Sequence, residues 1–510
     1  MKGQKTVDLT KGNVWKTLLL YSLPLLGSAM VQQAYSLVDL LIVGNFAQNG
    51  QIALTAVGEA NTMVNILLAF ALGCNGGCSV IVAKYFGAKN NLKVRETVNT
   101  AFISFAVLCA AVMAAGFGLA KPSMFLLDIT NEEIMQGSLT YLYIYLGSLP
   151  FVFLYNLGCG ICSALGDSKM PFLFLVFSSV LNVGLDFLFV YGFHWDVAGA
   201  AWATFISQAA ATALTVFVLI RKLKAVKSET KPAKFVKGIC KELTVTSIPI
   251  ILQNSFVSVG NFFVQKRINL ISEDAAAGFT TAFKLVQIAN VGVGTMTNGL
   301  ANYCSQNKAA GEFARIRQGY LAVLTYAMCT SLIFLILCEC IPRPLTMLFI
   351  ENPTEEAVNC SVQFLRIVAA FLPAVCVKIV SDGAVRGCGG NLGFTISTFT
   401  DLILRVSFVY ILVGVGMGFS GVCWAWAIGW TTSMFIALAF FLLTPCVRGK
   451  KDKVRGRAVA AQSKAIAEQP EAVSKQIEVA SEQTAAGQLE SVGQPKSERE
   501  ETLGNGRLNK

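Results

Sequence analysis

The sequence predicts an all-α, polytopic membrane protein. Of its 510 residues, 54% are hydrophobic and only 14% are charged, and its mean hydropathy is +0.58. A soluble chain of this length would carry far more charge for so much apolar surface. Apolar runs long enough to cross a ~30 Å hydrocarbon layer as helices recur from Val14 to Leu443. The pattern of these runs repeats in the second half of the chain, which indicates an internal duplication.

Twelve transmembrane helices account for the apolar runs. The first six are predicted at 15–43, 52–83, 98–120, 138–164, 171–193 and 197–220. The second six are predicted at 243–265, 276–305, 319–341, 360–385, 393–415 and 419–444. Each is at least about as long as a helix must be to span a bilayer.

Basic residues lie mostly in alternate loops, which accounts for the net charge of +11. A cluster from Lys84 to Arg95 follows the second run, and eight Lys or Arg residues occupy 221–242. By the positive-inside rule both termini are cytoplasmic, so we expect a multi-pass protein of the cell membrane. Because this charge follows topology, we expect no nucleic-acid partner. Lys266 and Arg267, at an outer helix end, depart from the pattern.

The two halves match at a nearly constant offset of about 220 residues. Pro24 corresponds to Pro249, Pro150 corresponds to Pro373, and GAAWA in the first half corresponds to GVCWA in the second. Each half has six predicted helices, an even number, so both halves enter the membrane from the same side. The sequence therefore predicts two six-helix bundles related by a pseudo-twofold axis along the membrane normal.

The domain boundaries follow from this repeat. We expect an N-terminal bundle at 1–220, a basic cytoplasmic linker at 221–242, a C-terminal bundle at 243–445 and a disordered cytoplasmic tail at 446–510. The tail is rich in Lys, Glu, Gln, Ser and Ala and has no apolar period. A substrate path runs most naturally between two such halves near mid-membrane.

Within its apolar runs the first half keeps two acids, Asp39 and Asp186, that the second half lacks at the corresponding positions. The segment LNVGLDFLFVYG carries Asn182 and Asp186, whose counterparts in the second half are Asp401 and Arg405. At i and i+4 on one helix face, Asp401 and Arg405 can neutralise each other. Asn182 cannot neutralise Asp186 in this way.

Asp39 lies in the first run, and its counterpart is Val264. Helix rise places Asp39, Asp186 and Thr204 roughly 9–12 Å below the outer surface, so they can form one layer. Tyr141 and Tyr145, one helical turn apart, can add hydroxyl groups to it.

A buried carboxylate without a basic partner takes up a proton or recruits a cation. Both are transport chemistry, and ionisable side chains inside a membrane are candidates for function. The alternative is an acid that faces a water-filled vestibule and has only a structural hydrogen bond.

The second half has charges of its own inside predicted helices. Lys284, Arg366 and Lys378 are basic, and Asp382 with Arg386 is predicted to form a second i,i+4 pair. The simplest role for all of them is structural, as ion pairs or interfacial side chains. If Lys284 or Arg366 faces the central cleft, the substrate carries an anionic group. The fifteen cysteines, including the Cys-x-x-Cys at 159–162, are interpreted as apolar packing residues.

Several of these segments together resemble the multidrug and toxic compound extrusion (MATE) transporters. They are LPLLGS with the following Asp39 and Gly44, LNVGLDFLFVYG, VAGAAWATFISQ and the RGCGGN turn that begins at Arg386. The resemblance covers about residues 12–445. It implies two six-helix bundles in a V, a central cleft, and export driven by a proton or sodium gradient.

The resemblance also implies site residues. One branch of the family has a cation site in the first bundle, and its positions fall here on Asp39, Tyr141, Asn182, Asp186 and Thr204. Another branch has an acid in the tenth helix, at a position that Val375 occupies here, so a second-bundle sodium site is not expected.

The sequence thus predicts a secondary antiporter that exports small amphipathic organic compounds in exchange for H⁺ or Na⁺. We expect no enzymatic activity, no catalytic residue, no cofactor, and no metal beyond a Na⁺ at the coupling site. The expected partners are the substrate and the lipid bilayer, and the expected state is a monomer. One alternative is a flippase for a lipid-linked oligosaccharide, which would be expected to show extra helices and several basic residues in the cleft. Another is a membrane receptor or scaffold, against which the unneutralised acids argue.

Overall fold

A computed structural model describes residues 8–126, 129, 131–226, 228, 230–347 and 354–448. The first half forms α1 (Val14–Phe46), α2 (Gly50–Gly87), α3 (Asn91–Leu126), α4 (Glu132–Ala164), α5 (Lys169–Asp186) and α6 (Asp196–Ala225). The second half forms α7 (Lys237–Asn269), α8 (Glu273–Ala310), α9 (Phe313–Cys340), α10 (Pro342–Met347), α11 (Glu355–Ala370), α12 (Leu372–Gly387), α13 (Asn391–Leu412) and α14 (Gly418–Leu443). The fold is all-helical, as the sequence predicts.

Each of the twelve predicted runs coincides with described helix, but the tenth is broken. It was expected as one span at 360–385, and it consists of α11 and α12, which meet at 53°. Phe371 separates them, and Pro373 lies in the first turn of α12. A proline inside a helix removes a backbone hydrogen bond and clashes with the preceding turn, so the helix restarts there.

Nine described helices are long and apolar enough to cross a membrane, or ten if α11 and α12 form one bent span. That number counts 391–443 as one helix. The segment contains two, α13 and α14, which pack against each other and are separated where the chain leaves helical geometry at Gly416. It also omits α8, which carries Lys284 and several amide side chains.

The local backbone repeats between the halves. A π-helical segment, Phe187–Gly192, follows α5, and a second one, Val413–Met417, follows α13. Left-handed residues also recur, with φ of 83° at Gly166 and 80° at Gly389 in corresponding turns. These features lie at the offset that the sequence repeat indicates.

The helices of each half pack mainly on one another. In the first half α4 contacts α2, α3 and α6, and in the second half α14 contacts α11, α12 and α13. The halves meet where α2 packs on α7 and α8 and where α1 packs on α8. Leu9 and the start of α1, with Leu18 and Tyr21, lie in an apolar core built otherwise from the second half. Cys446 and Val447, at the start of the predicted tail, are buried there too, and 449–510 lie outside the described residues.

Hydrogen bonds join the two halves at one end of the helices, where α2 ends and α7 begins. We call this end the basic face, because the Lys and Arg cluster from Lys84 to Arg95 lies there. Ser305 Oγ donates to the carbonyl of Val80 at 2.7 Å, and Gln306 Nε2 donates to the carbonyl of Ala164 at 2.7 Å. Lys84 Nζ also pairs with Glu242 at 2.9 Å. The basic face is therefore closed.

Candidate functional site

Asp39 and Asp186 are brought together by the packing of α1 on α5. Asp39 is 9% exposed and Asp186 is fully buried. Their side chains are within hydrogen-bonding reach of each other. Asp186 is the last residue of α5, directly before the π-helical segment, and such segments are frequent at functional sites.

The oxygen atoms of this carboxyl pair are poorly satisfied. Both carboxyl oxygens of Asp186 lack a hydrogen-bond donor in the described part of the chain. Oδ1 of Asp39 also lacks one there. Two bare carboxylates in contact repel each other, and burial makes the repulsion worse. A proton or a cation held between them removes that cost, because it turns the contact into a hydrogen bond or a pair of ligand bonds.

Asn182 lies one helical turn before Asp186 on α5 and is 3% exposed. Neither Nδ2 nor Oδ1 of its amide has a partner among the described residues. A buried amide without hydrogen bonds costs stability, and this one can offer both a donor and an acceptor to an ion or a water molecule.

Hydroxyl groups complete the layer. Tyr141 is buried on α4, and the hydroxyl of Thr204 on α6 lies within its hydrogen-bonding reach. Tyr141 is also close enough to Asp39 to interact with it electrostatically. Sequence reasoning missed Tyr35, which interacts with both Asp39 and Asp186. Its spacing of four residues before Asp39, on the same face of α1, was a signal that could have found it.

This donor set is one of carboxylate, amide and hydroxyl groups. Hard cations prefer such oxygen ligands, and a proton can bind to the carboxylates alone. The described residues contain no cluster of three His, Cys, Asp or Glu side chains that could hold a metal ion.

The corresponding place in the second half is neutralised. Arg405 Nη2 lies 3.4 Å from Asp401 Oδ2, and both side chains are buried, so this predicted ion pair is confirmed. Val264, the counterpart of Asp39, is also buried. When these two equivalent positions are compared, the buried acids of the first half have no basic partner in the described chain, whereas Asp401 of the second half does.

A cavity of about 470 Å³ lies between the halves, next to the basic face. It is lined by α1, α2, α4, α7, α8, α12 and α13, and its charged side chains are Lys378, Asp382 and Arg386. Asp382 and Arg386, predicted as a pair, attract each other electrostatically, but the direct ion pair of Asp382 is with Lys378, Nζ to Oδ2 at 3.4 Å. Arg386 instead donates from Nη2 to Oδ1 of Asn298 at 2.6 Å, because α8 packs against this turn of α12.

The structure separates the two other basic residues that the sequence singled out. Lys284 is exposed on α8, on the helix face that continues into the cavity lining. Arg366 on α11 is exposed and lies 3.8 Å from Glu339 of α9. It does not line the cavity.

The family model described as MatE matches residues 24–188 and 249–411, one stretch in each half. The probable multidrug resistance protein YpnP of Bacillus subtilis is 28% identical over 428 residues, which are 82% of this chain and 94% of that protein. A MOP superfamily transporter from Pyrococcus furiosus has the same fold, with a TM-score of 0.81 and 22% identity, covering 89% of this chain and 100% of that one. So does a multidrug resistance MATE family transporter in an outward-facing conformation, with a TM-score of 0.79, 21% identity and coverage of 87% and 98%.

Proposed function

This chain belongs to the MATE family of membrane transporters, and from that premise we propose that it is a secondary antiporter that exports amphipathic organic compounds in exchange for H⁺ or Na⁺. The family is one of multidrug exporters and not of enzymes. The observation that carries the proposal is the contact between Asp39 and Asp186, two buried carboxyl groups with no basic partner in the described chain.

The coupling site lies in the first half and the cavity lies between the halves. Asp186 is proposed as the main coupling carboxylate and Asp39 as its partner, while Asn182, Tyr141 and Thr204 supply hydrogen bonds or ligand oxygens. An ion that binds the pair removes the repulsion between the carboxylates, so α1 and α5 can close on each other. Because α1 also packs on α8 beside the cavity, a shift of α1 can change the cavity and release the substrate.

The direction of transport follows from the topology that we propose. With both termini and the basic face in the cytoplasm, residues 1–220 and 243–445 form two bundles that rock against each other in the cell membrane. The closed basic face then corresponds to a state that is open to the outside. This is the state in which an exporter releases its substrate and loads the external ion.

Transport by purified protein in proteoliposomes tests the proposal. Ethidium, 8-anilinonaphthalene-1-sulfonate and 1-naphthoate serve as probes, under an imposed tenfold H⁺ gradient, an imposed tenfold Na⁺ gradient, or neither. We expect at least one probe to be accumulated against its gradient with one of the two ions. If no probe moves beyond the rate of protein-free liposomes under any gradient, the antiporter assignment fails and a receptor or scaffold is favoured.

A further inference from the structure

The cavity between the halves carries a net positive formal charge. Its lining contains three charged side chains, Lys378, Asp382 and Arg386. The charge of Asp382 is offset by Lys378 at 3.4 Å. Arg386 therefore leaves the lining with a formal charge of +1, which is the wrong sign for a cationic ligand.

Arg386 is available to a ligand although it is 7% exposed. Its Nη2 donates to Asn298, but its Nε has no acceptor among the described residues. Asp382 attracts Arg386 electrostatically, but its ion pair within 4 Å in the described chain is with Lys378. A buried guanidinium whose nearby carboxylate is shared with a lysine is incompletely neutralised, and a carboxylate or phosphate that accepts two of its N–H groups satisfies it.

Apolar side chains surround this charge. The ring centroid of Phe394 lies 5.5 Å from Arg386 Cζ, and Leu25, Ile250 and Ile379 line the same cavity. Phe394 thus offers an aromatic face beside the charged group. A volume of about 470 Å³ falls within the range of small-molecule sites. The cavity therefore suits a molecule with one anionic end and one apolar, preferably aromatic, body.

Lys284 extends the positive charge along the approach to the cavity. The exposed residues Thr280, Lys284 and Gln287 of α8 continue at helical spacing into Val291 and Asn298, which line the cavity. Residues at this spacing share one helix face. Lys284 lies about 21 Å from Asn298 along the helix, on the side away from the basic face. It has no ion-pair partner in the described chain.

We propose that the exported compound is an amphipathic organic anion whose carboxylate or phosphate binds Arg386 and whose apolar body packs on Phe394. This inference rests on the proposed function, since it identifies the class of substrate that the antiporter carries. Lys284 attracts the same anionic group at the other end of the path.

Three compounds with the same ring system test this directly. The probes are 1-naphthoate, 1-naphthyl phosphate and 1-naphthylmethylamine, and their binding to the full-length purified protein in detergent is measured by titration calorimetry. We expect one or both anions to bind at least about tenfold more tightly than the amine, and the stronger of the two identifies the anionic group. Equal or tighter binding of the amine overturns the proposal.

Two variants assign the binding to Arg386. We expect Arg386→Gln to raise the Kd of the preferred anion at least tenfold, a loss of about 1.4 kcal/mol. Asn298→Asp keeps the arginine but places a carboxylate on it, so it should have the same effect even if Arg386→Gln does not fold. Arg343→Gln, at an exposed arginine of α10 in the same half, is the matched control. An unchanged Kd in a folded Asn298→Asp or Arg386→Gln protein refutes the role of Arg386.

Transport separates this inference from the one on which it rests. If ethidium is accumulated in response to a gradient but neither 1-naphthoate nor 1-naphthyl phosphate is, the antiporter proposal stands and the proposal of an anionic substrate fails. Accumulation of either naphthalene anion, lost in Asn298→Asp, supports both.

Discussion

Replacement of Asp186 by Asn should uncouple transport from the ion gradient. The substitution keeps the shape of the side chain and removes one of two negative charges at the carboxyl pair. The introduced amide can then donate a hydrogen bond to Asp39, so the pair no longer needs a proton or cation between its members. We expect D186N to exchange substrate across the membrane without accumulating it.

The expected magnitude follows from the proposal that the two carboxyl groups, which interact directly, form a single coupling site. One ion per cycle and a tenfold ion gradient supply about 1.4 kcal/mol, which supports at most about tenfold substrate accumulation. Everted membrane vesicles with a tenfold H⁺ or Na⁺ gradient and a clamped membrane potential measure this ratio, with the probe that the wild type accumulates. D186N should reduce the ratio to about 1.

Glu133→Gln is the control for this experiment, because it removes an exposed carboxylate from the first turn of α4 in the same half. It should accumulate substrate as the wild type does. If D186N vesicles also reach the wild-type ratio, Asp186 is not the coupling group and the reasoning about the unpaired carboxyl pair is wrong. A wild-type ratio near one hundred would instead require two ions per cycle.

Three further predictions concern the layer of the coupling site, the closed end and the neutralised pair. Asn182→Leu should raise the ion concentration for half-maximal transport. It should not lower the thermal unfolding temperature, because the amide has no hydrogen bond to lose in the described chain. Loss of folded protein would contradict this prediction. Gly87→Val should open the basic face, because a Cβ there would lie 2.6 Å from a backbone Cα of α8. Thiol labelling of Cys240, near the start of α7 at this face, should then increase. Gly118→Ala meets no atom within 4 Å and should leave the labelling unchanged. Arg405→Met should destabilise by about 3–5 kcal/mol by leaving Asp401 unpaired, and adding Asp401→Leu should restore most of this in a denaturation assay in detergent.

The positions of the helices could be predicted because they depend on local composition. An apolar run of about 20 residues forms a helix in a membrane whatever its neighbours are, since every backbone polar group must be satisfied within the segment. The break at Phe371 was missed, although the following Pro373 is a local signal.

Ion pairing could be predicted only in part. Asp401 has one basic residue at helical spacing, Arg405, and the pair forms. Asp382 has two basic residues at helical spacing, Lys378 four residues before it and Arg386 four residues after it. Sequence distance therefore could not decide between them. The choice was made by Asn298 on α8, which takes up the Arg386 guanidinium.

The sequence by itself determined that this chain is a duplicated, all-helical membrane protein, and that the first half has Asp39 and Asp186 in its apolar runs, without a basic residue at helical spacing, where the second half has Val264 and Arg405. These properties depend on residue type and on separations of a few residues, which a helix converts directly into shared faces. Only the tertiary structure decided that Asp39 meets Asp186, that Tyr35 joins them, and that Arg386 lines a cavity while Arg366 lies elsewhere. Such contacts join helices far apart in the chain, and their partners are selected by how whole helices pack rather than by any local spacing.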